Sequence, residues 1–195
     1  ACAEAQVDSL VDEGNPRQRI AVVHNGVDID RFRVDGDARV SMRRRWQLSE
    51  TAPLVGIVAS HRREKRHDRF FKLMSALTLI VPNVRGVCVG GGPLLDANRL
   101  VAEERGLESV VQLVGPVDDI VAAYNACDVV VLLSESETLP LSIMEAQACG
   151  VPVVAMRTGG VEETFADGRS GFLVAQGDHG GAVKKVAELL ADRSL

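Results

Sequence analysis

The chain has 195 residues, of which 46% are hydrophobic and 25% are charged, a composition typical of a soluble globular protein. Its formal net charge of −5 argues against a general nucleic-acid binder, and no apolar run approaches the length of a membrane span. The four cysteines are scattered without the spacing of a metal or redox motif, so a reducing cytoplasm fits best.

The first residues form a separate predicted unit. The chain starts at Ala1 without a methionine and continues directly into a helical pattern. We therefore expect residues 1–19 to be a helical segment or linker that leads from a preceding domain. The length of the chain is enough for one sizeable domain or two small ones, and residues 20–195 are expected to form one domain.

Short apolar runs alternate with amphipathic segments along the rest of the chain. Most of the apolar runs are β-branched and continuous, which is typical of strands buried on both faces. The alternation predicts an α/β fold with a Rossmann-like, doubly wound parallel sheet. The charged stretch 28–50 is predicted to be a long loop or a peripheral helix. The predicted strands are 20–23, 54–59, 84–89, 110–114, 129–133, 151–155 and 171–174, and the predicted helices are 68–80, 93–104, 120–125, 141–149, 160–165 and 181–192.

The stretch 137–145 carries the strongest functional signal. It follows the apolar run 129–133 and contains Glu137 and Glu145. Glu137 is predicted to lie in the loop at the carboxyl end of a strand, and Glu145 about two turns into the next helix. Open α/β sheets bind ligands at this edge. A carboxylate there can accept hydrogen bonds from a vicinal diol, and the N–H groups of a helix N-terminus suit phosphate.

A basic cluster follows the predicted strand 54–59. Residues 61–69 include five lysines and arginines in a chain that is acidic overall. Arg62 can bind a diphosphate in a bidentate manner and Lys65 can bind it as a point charge. The alternative is a solvated loop without a ligand, and some of these basic residues are expected only to face water.

Two glycine-containing turns also follow predicted strands. The sequence Gly90-Gly91-Gly92-Pro93 does not form a dinucleotide fingerprint, because the third glycine position falls on Leu95. Gly91 is predicted either to let a ligand approach the backbone or to belong to a tight structural turn. Gly115 and Pro116 either offer backbone groups to a base or form only a turn before a helix.

An ordered set of motifs resembles the C-terminal domain of retaining glycosyltransferases of the GT-B fold, the group 1 type. Any one of these motifs is weak, but together they cover nearly the whole chain. The resemblance implies the C-terminal half of a GT-B fold. The motifs are Asn25-Gly26-Val27-Asp28 with Phe32, the basic loop with Lys65, residues 89–93, Val114-Gly115, residues 126–129, residues 134–154, Gly159-Gly160, and Asp167-Gly168 with Gly171.

The resemblance assigns roles to particular residues. Glu137 would face the donor sugar, Glu145 would hold the ribose hydroxyls, and Lys65 would neutralise the leaving diphosphate. The backbone of Thr138, Leu139, Leu141 and Ser142 would lie near the diphosphate. Many family members carry a phosphate-binding arginine where this chain has Ser60, and some carry it three residues before the lysine. Arg62 fits that variant, and Arg63 is the second candidate.

The resemblance also implies a function. The intact protein would transfer a hexose from a nucleoside diphosphate sugar, with UDP favoured over GDP or ADP and with no metal or other cofactor. The acceptor-binding N-terminal domain would lie outside this chain, so the chain alone is expected to bind nucleotide and transfer nothing. The expected location is cytoplasmic, and any peripheral contact with a membrane would come through the other domain. The alternatives are a sugar-nucleotide epimerase of the same fold and a non-catalytic nucleotide-binding regulatory module.

Overall fold

The computed structural model describes residues 1–192 and contains one sheet of six strands in the order β3-β2-β1-β4-β5-β6. Every neighbouring pair of strands is parallel, so the predicted parallel α/β sheet is confirmed. The strands are β1 (Leu54–Val58), β2 (Arg85–Val89), β3 (Val111–Gly115), β4 (Val129–Leu132), β5 (Val153–Met156) and β6 (Gly171–Val174). The helices of the described residues are α1 (Val7–Asp12), α2 (Gly36–Arg45), α3 (His67–Leu77), α4 (Leu95–Glu104), α5 (Ile120–Ala126), α6 (Leu141–Ala148) and α7 (His179–Ala191).

Both faces of the sheet are covered by helices. In β4 all four residues are buried. Val129 and Val131 pack into a core with α3 and α7, whereas Val130 and Leu132 pack into a second core with α5 and α6. This arrangement explains why the strands read as continuous apolar runs rather than as alternating patterns.

The strand order creates a switch point in the middle of the sheet. From β1 the chain proceeds to β2 and β3 on one side, and it then returns to β4, β5 and β6 on the other side. The loops that follow β1 and β4 therefore lie on the two sides of this switch point. In open α/β sheets this is the position where ligands bind.

The predicted strand 20–23 is wrong. The segment is extended, but it bonds to the start of the chain: the Val23 N–H donates to the Ala1 carbonyl at 2.9 Å, and the Ala1 amine donates to the Ala21 carbonyl at 3.0 Å. Val23 is 73% exposed. A strand also needs a partner in the sheet, and residues 20–23 do not pair with any of its six strands.

The first residues are fixed against the loop that follows β5. The carboxylate of Glu163 accepts hydrogen bonds from the backbone N–H groups of Glu4 and Ala5, at 2.8 and 2.9 Å. Ala3 is fully buried there. Residues 1–19 are partly helical, as predicted, but their assignment to a separate domain stays a prediction. The last three residues of the predicted domain, 193–195, lie outside the described residues.

Two other segments differ from expectation in detail. The predicted helix 160–165 is a 3-10 helix, Gly159–Thr164, because two consecutive glycines disfavour an α-helix. The charged stretch 28–50 contains α2, which is integrated rather than peripheral. Arg43 of α2 is 1% exposed and donates to Asp128 at 2.9 Å, so Asp128 has a structural role.

Candidate functional site

Lys65 and Glu137 form an ion pair across the switch point of the sheet. Lys65 ends a short 3-10 turn after β1, and Glu137 lies in the loop after β4. The Lys65 Nζ lies 2.7 and 2.8 Å from the two carboxylate oxygens of Glu137. The side chain of Glu137 is only 7% exposed and that of Lys65 is 23% exposed. The structure therefore brings together two predicted site residues that are 72 positions apart in sequence.

The loop that carries Glu137 is held by many backbone contacts. Donors and acceptors from four other segments bond to the backbone of residues 134–139. These contacts fix the loop before any ligand binds, a condition that favours electrostatic catalysis. They are Glu135 N–H to the Glu64 carbonyl (2.8 Å), the Thr158 hydroxyl to the Glu135 carbonyl (2.9 Å), Gly160 N–H to the Thr138 carbonyl (2.8 Å), the Asn25 side-chain amide to the Leu139 carbonyl (3.1 Å), and the Gln176 side-chain amide to the Ser134 carbonyl (3.1 Å).

Gly159 and Gly160 allow the close approach of the loop after β5 to the Glu137 loop. Gly159 has a φ of 50°, and a Cβ atom at this position would overlap the carbonyl oxygen of Glu137. A Cβ atom on Gly160 would overlap the carbonyl oxygen of Thr138. Sequence reasoning included these glycines only among the family motifs and missed their contact with the Glu137 loop.

Glu145 lies near the middle of α6, as the fifth of its eight residues. Because α6 begins at Leu141, Glu145 is about one turn into the helix rather than the predicted two turns. The residue before α6 is Pro140, and no side chain caps the helix. The first turn, with Leu141 and Ser142, therefore offers backbone N–H groups to an outside acceptor, which favours the predicted phosphate contact.

Tyr124 is a contact of Glu145 that sequence reasoning missed. Its hydroxyl donates a hydrogen bond of 2.7 Å to Oε2 of Glu145. Burial raises the pKa of Tyr124, and this hydrogen bond to the carboxylate is the second largest cause. The available signal was the lone tyrosine of the chain, which lies on a mostly apolar helix.

The two candidate arginines are both exposed. Arg62 precedes the 3-10 turn that carries Lys65, and its carbonyl accepts a hydrogen bond of 3.1 Å from the Lys65 N–H. Arg62 and Arg63 line one depression together with Arg66. Arg66 is already paired with Asp68 at 2.9 Å. The exposure of Arg62 and Arg63 leaves both available to an anion, so Arg62 stays a prediction and Arg63 its alternative.

The glycine-rich turn after β2 packs mainly against the loop after β1. Gly90 and Gly92 have φ values of 138° and 143°, and a Cβ atom on either would collide with the backbone of Ala59 or His61. The structural interpretation therefore accounts for these two glycines. A Cβ atom on Gly91 would lie 3.7 Å from Pro116, so Gly91 and Pro116 are neighbours and stay candidates for ligand contact.

Gly115 is the last residue of β3 rather than part of the following loop. It has a φ of 74°, and its carbonyl accepts a hydrogen bond of 2.9 Å from Gly90. Its carbonyl is thus already used by the protein, and the predicted contact between Gly115 and a base remains untested.

Two stacked histidines lie beneath the basic loop. The rings of His61 and His67 are 3.9 Å apart between centroids and nearly parallel. Within residues 1–192, Nε2 of His61 and both ring nitrogens of His67 have no hydrogen-bond partner. Burial, reinforced by His61, lowers the pKa of His67 from 6.5 to about 3. His67 is therefore a neutral structural residue at physiological pH.

The stacked pair predicts a loss of stability in mild acid. Below pH 6.5 the unfolded chain protonates His67, whereas the folded chain keeps it neutral down to about pH 3. The free energy of unfolding should therefore fall as the pH drops through this window, by about 2 kcal/mol from His67 between pH 6.5 and 5. Urea unfolding of the wild type and of His67→Phe at several pH values measures this slope. An equally steep slope in His67→Phe would contradict the assignment.

The comparison with known proteins identifies the family. The family model described as "Glycosyl transferases group 1" matches residues 39–195. The chain belongs to this glycosyltransferase family. A GDP-mannose-dependent alpha-(1-6)-phosphatidylinositol monomannoside mannosyltransferase of Mycolicibacterium smegmatis is 36% identical over 176 residues, which cover 86% of this chain and 46% of the relative. A D-inositol 3-phosphate glycosyltransferase 2 of Catenulispora acidiphila is 40% identical over 183 residues, which cover 88% of this chain and 42% of the relative.

Solved structures show that the fold of this glycosyltransferase chain is the Rossmann-like fold of GT-B proteins. Anabaena Alr3699/HepE in complex with UDP has a TM-score of 0.89 and 24% identity, and the match covers 100% of this chain and 54% of that chain. The C-terminal domain of LpcC, a group 1 glycosyl transferase of Francisella tularensis, has a TM-score of 0.71 and 22% identity, and covers 86% of this chain and 89% of that chain. The chain thus spans about half the length of the larger relatives it matches. No helix within residues 1–192 is long and apolar enough to cross a membrane.

Proposed function

We propose that this glycosyltransferase chain is the donor-binding half of a retaining enzyme that transfers a hexose from a nucleoside diphosphate sugar to an acceptor. The Lys65–Glu137 pair carries the proposal, because it places a cation and a carboxylate together at the switch point of a doubly wound sheet. Glu145 follows one turn into the next helix, where a ribose would be within reach of a phosphate bound at the helix N-terminus.

The charges of the site suit a departing diphosphate. Negative charge grows on the leaving group as the bond to the sugar breaks. Lys65 has three N–H donors, and two of them reach the oxygens of Glu137, so one is left for a phosphate oxygen. Arg62 and the first turn of α6 would supply further positive potential. With these groups the reaction needs no metal ion in this proposal.

Glu137 would act on the sugar. Its carboxylate is held by Lys65 and by the fixed backbone of its loop, so its position is set before the donor arrives. A carboxylate facing the reacting carbon would orient the sugar and stabilise positive charge that develops there. The acceptor would be bound by a part of the protein outside this chain. The chain alone would therefore bind the donor and transfer nothing.

The nucleotide base has two supported candidates. One solved relative binds UDP, and another relative is named for GDP-mannose. We propose UDP as the nucleotide, with GDP as its direct competitor. The backbone of Gly91 and Pro116 would be the nearest protein surface to the base. We further propose a cytoplasmic location, since the buried cysteines are all free thiols.

Substituting Glu145 tests the proposed function. Calorimetric titration of this chain with UDP and with GDP should show saturable binding of one of the two nucleotides. Glu145→Ala should weaken that binding by about 10- to 100-fold, because the ribose hydroxyls lose a charged acceptor. Glu103→Ala, which removes an exposed glutamate of α4, is the matched control and should bind as the wild type does.

Three outcomes would contradict the proposal. If neither nucleotide binds the wild-type chain, the donor site is not built from these residues alone. If Glu145→Ala and Glu103→Ala bind equally well, the carboxylate of Glu145 does not hold the ribose. Binding by a longer form of the protein with no sugar transfer to any acceptor would favour a regulatory module instead.

A further inference from the structure

Tyr124 is locked in place behind Glu145. It lies on α5, is fully buried, and donates from its hydroxyl to Oε2 of Glu145 at 2.7 Å. Its ring packs edge-to-face against Phe32, with centroids 6.2 Å apart. Since α5 and α6 pack on the same face of the sheet, the phenol reaches Glu145 from the interior of the protein. Its position is thus set by the core and does not depend on a ligand.

The hydrogen bond leaves one side of the carboxylate open. Glu145 is only half-buried, and its Oε1 accepts no hydrogen bond from residues 1–192. A free glutamate side chain on a helix samples several rotamers. A donor that holds Oε2 selects one of them and directs Oε1 outward. Burial also keeps the phenol of Tyr124 protonated at neutral pH, because its pKa is raised.

We propose that Tyr124 is a positioning residue for ribose recognition, which orients Glu145 so that its Oε1 meets the vicinal hydroxyls of the nucleotide. This inference rests on the proposed function of Glu145. Tyr124 would not touch the nucleotide itself, because it is fully buried. Its effect should therefore appear only for ligands that carry the ribose hydroxyls. If the hydroxyl had only a structural role, its loss would change the affinity for all ligands by the same factor.

The test compares ribonucleotides with 2′,3′-dideoxynucleotides. Calorimetry gives the dissociation constants of UDP, GDP and their dideoxy forms for the wild-type chain and for Tyr124→Phe. In the wild type, the dideoxy form of the bound nucleotide should bind about 10-fold or more weakly. In Tyr124→Phe the ratio of the dissociation constants of the dideoxy form and the ribonucleotide should be about threefold to tenfold smaller than in the wild type. The affinity for the dideoxy form itself should stay within about twofold of the wild type.

Controls separate positioning from general packing. Phe32→Leu disturbs the ring contact of Tyr124 but leaves its hydroxyl, so it should lower the melting temperature and keep the ribose preference. In a Glu145→Ala background, Tyr124→Phe should cause no further loss of the preference, because the two residues act through one contact. Should Tyr124→Phe fail to fold, Tyr124→His replaces it, because histidine keeps a ring with a hydrogen-bond donor. Its ribose preference should be weaker than that of the wild type but not lost.

The outcomes also separate this inference from the proposed function. A wild-type chain that binds UDP and its dideoxy form equally well would overturn the ribose role of Glu145 and, with it, the inference. A wild type that prefers the ribose, together with a Tyr124→Phe variant that prefers it just as strongly, would overturn the inference alone. A Tyr124→Phe variant that binds both forms more weakly by the same factor would also overturn it, since that result marks a structural role.

Discussion

Replacing Lys65 with methionine should destabilise the chain by about 3 kcal/mol, because it leaves a nearly buried carboxylate without its cation. Glu137 is 7% exposed, and both of its oxygens accept hydrogen bonds from Lys65. Adding Glu137→Gln should recover most of the loss, since the double variant buries no unpaired charge. Chemical unfolding of the two single variants and of the double variant measures the coupling between the residues.

On the proposed function, the same substitution should also lower the turnover of a longer form of the protein that includes the acceptor-binding part. If Lys65 stabilises the departing diphosphate, Lys65→Met should lower kcat by about 10²- to 10³-fold, as does the loss of one preorganised donor elsewhere. Unlike stability, turnover should not return in the double variant. Arg63→Met removes an exposed cation from the same loop and serves as the control for stability. Turnover of Lys65→Met within threefold of the wild type would show that Lys65 does not act on the leaving group.

Gly159→Ala is expected to destabilise the chain at least as much as Lys65→Met does. Its Cβ atom would overlap the carbonyl oxygen of Glu137, and its φ of 50° is unfavourable for a side chain. We expect a destabilisation of about 3 kcal/mol or more, together with weaker nucleotide binding, because the Glu137 loop must move. Thermal unfolding and the nucleotide titration measure the two effects.

Gly168 offers a matched control for this substitution. Its φ of 75° is also positive, but a Cβ atom there would meet no other atom within 4 Å. Gly168→Ala should therefore cost only about 1 kcal/mol from the backbone conformation and leave nucleotide affinity unchanged. The difference between the two variants isolates the contact with Glu137. Equal effects of the two substitutions would mean that the loop tolerates the added methyl group.

The sequence was sufficient to predict the parallel sheet and to place the candidate carboxylates on it. Continuous apolar runs such as 129–133 indicate strands covered on both faces. The run 20–23 has a similar composition but is no strand, because its backbone bonds to Ala1 and not to a strand of the sheet. Local patterns do not contain that information.

The contacts within the site could not be predicted from the sequence. Lys65 and Glu137 meet only because β1 and β4 are neighbours, and strand order is a property of the whole fold. Tyr124 meets Glu145 through the packing of two helices, which depends on side-chain volumes across the core. Gly159 and Gly160 stood out in the sequence only as a family motif, and only the folded backbone shows that they contact the Glu137 loop.

The anchoring of the first residues mechanically couples them to the Glu137 loop. Glu4 and Ala5 are tied to Glu163, in the same 3-10 helix whose Gly160 is bonded to the Thr138 carbonyl beside Glu137. A displacement of Glu4 and Ala5 would therefore act on the backbone beside Glu137 through these hydrogen bonds. Motion of the first residues relative to the sheet would thus change the position of Glu137.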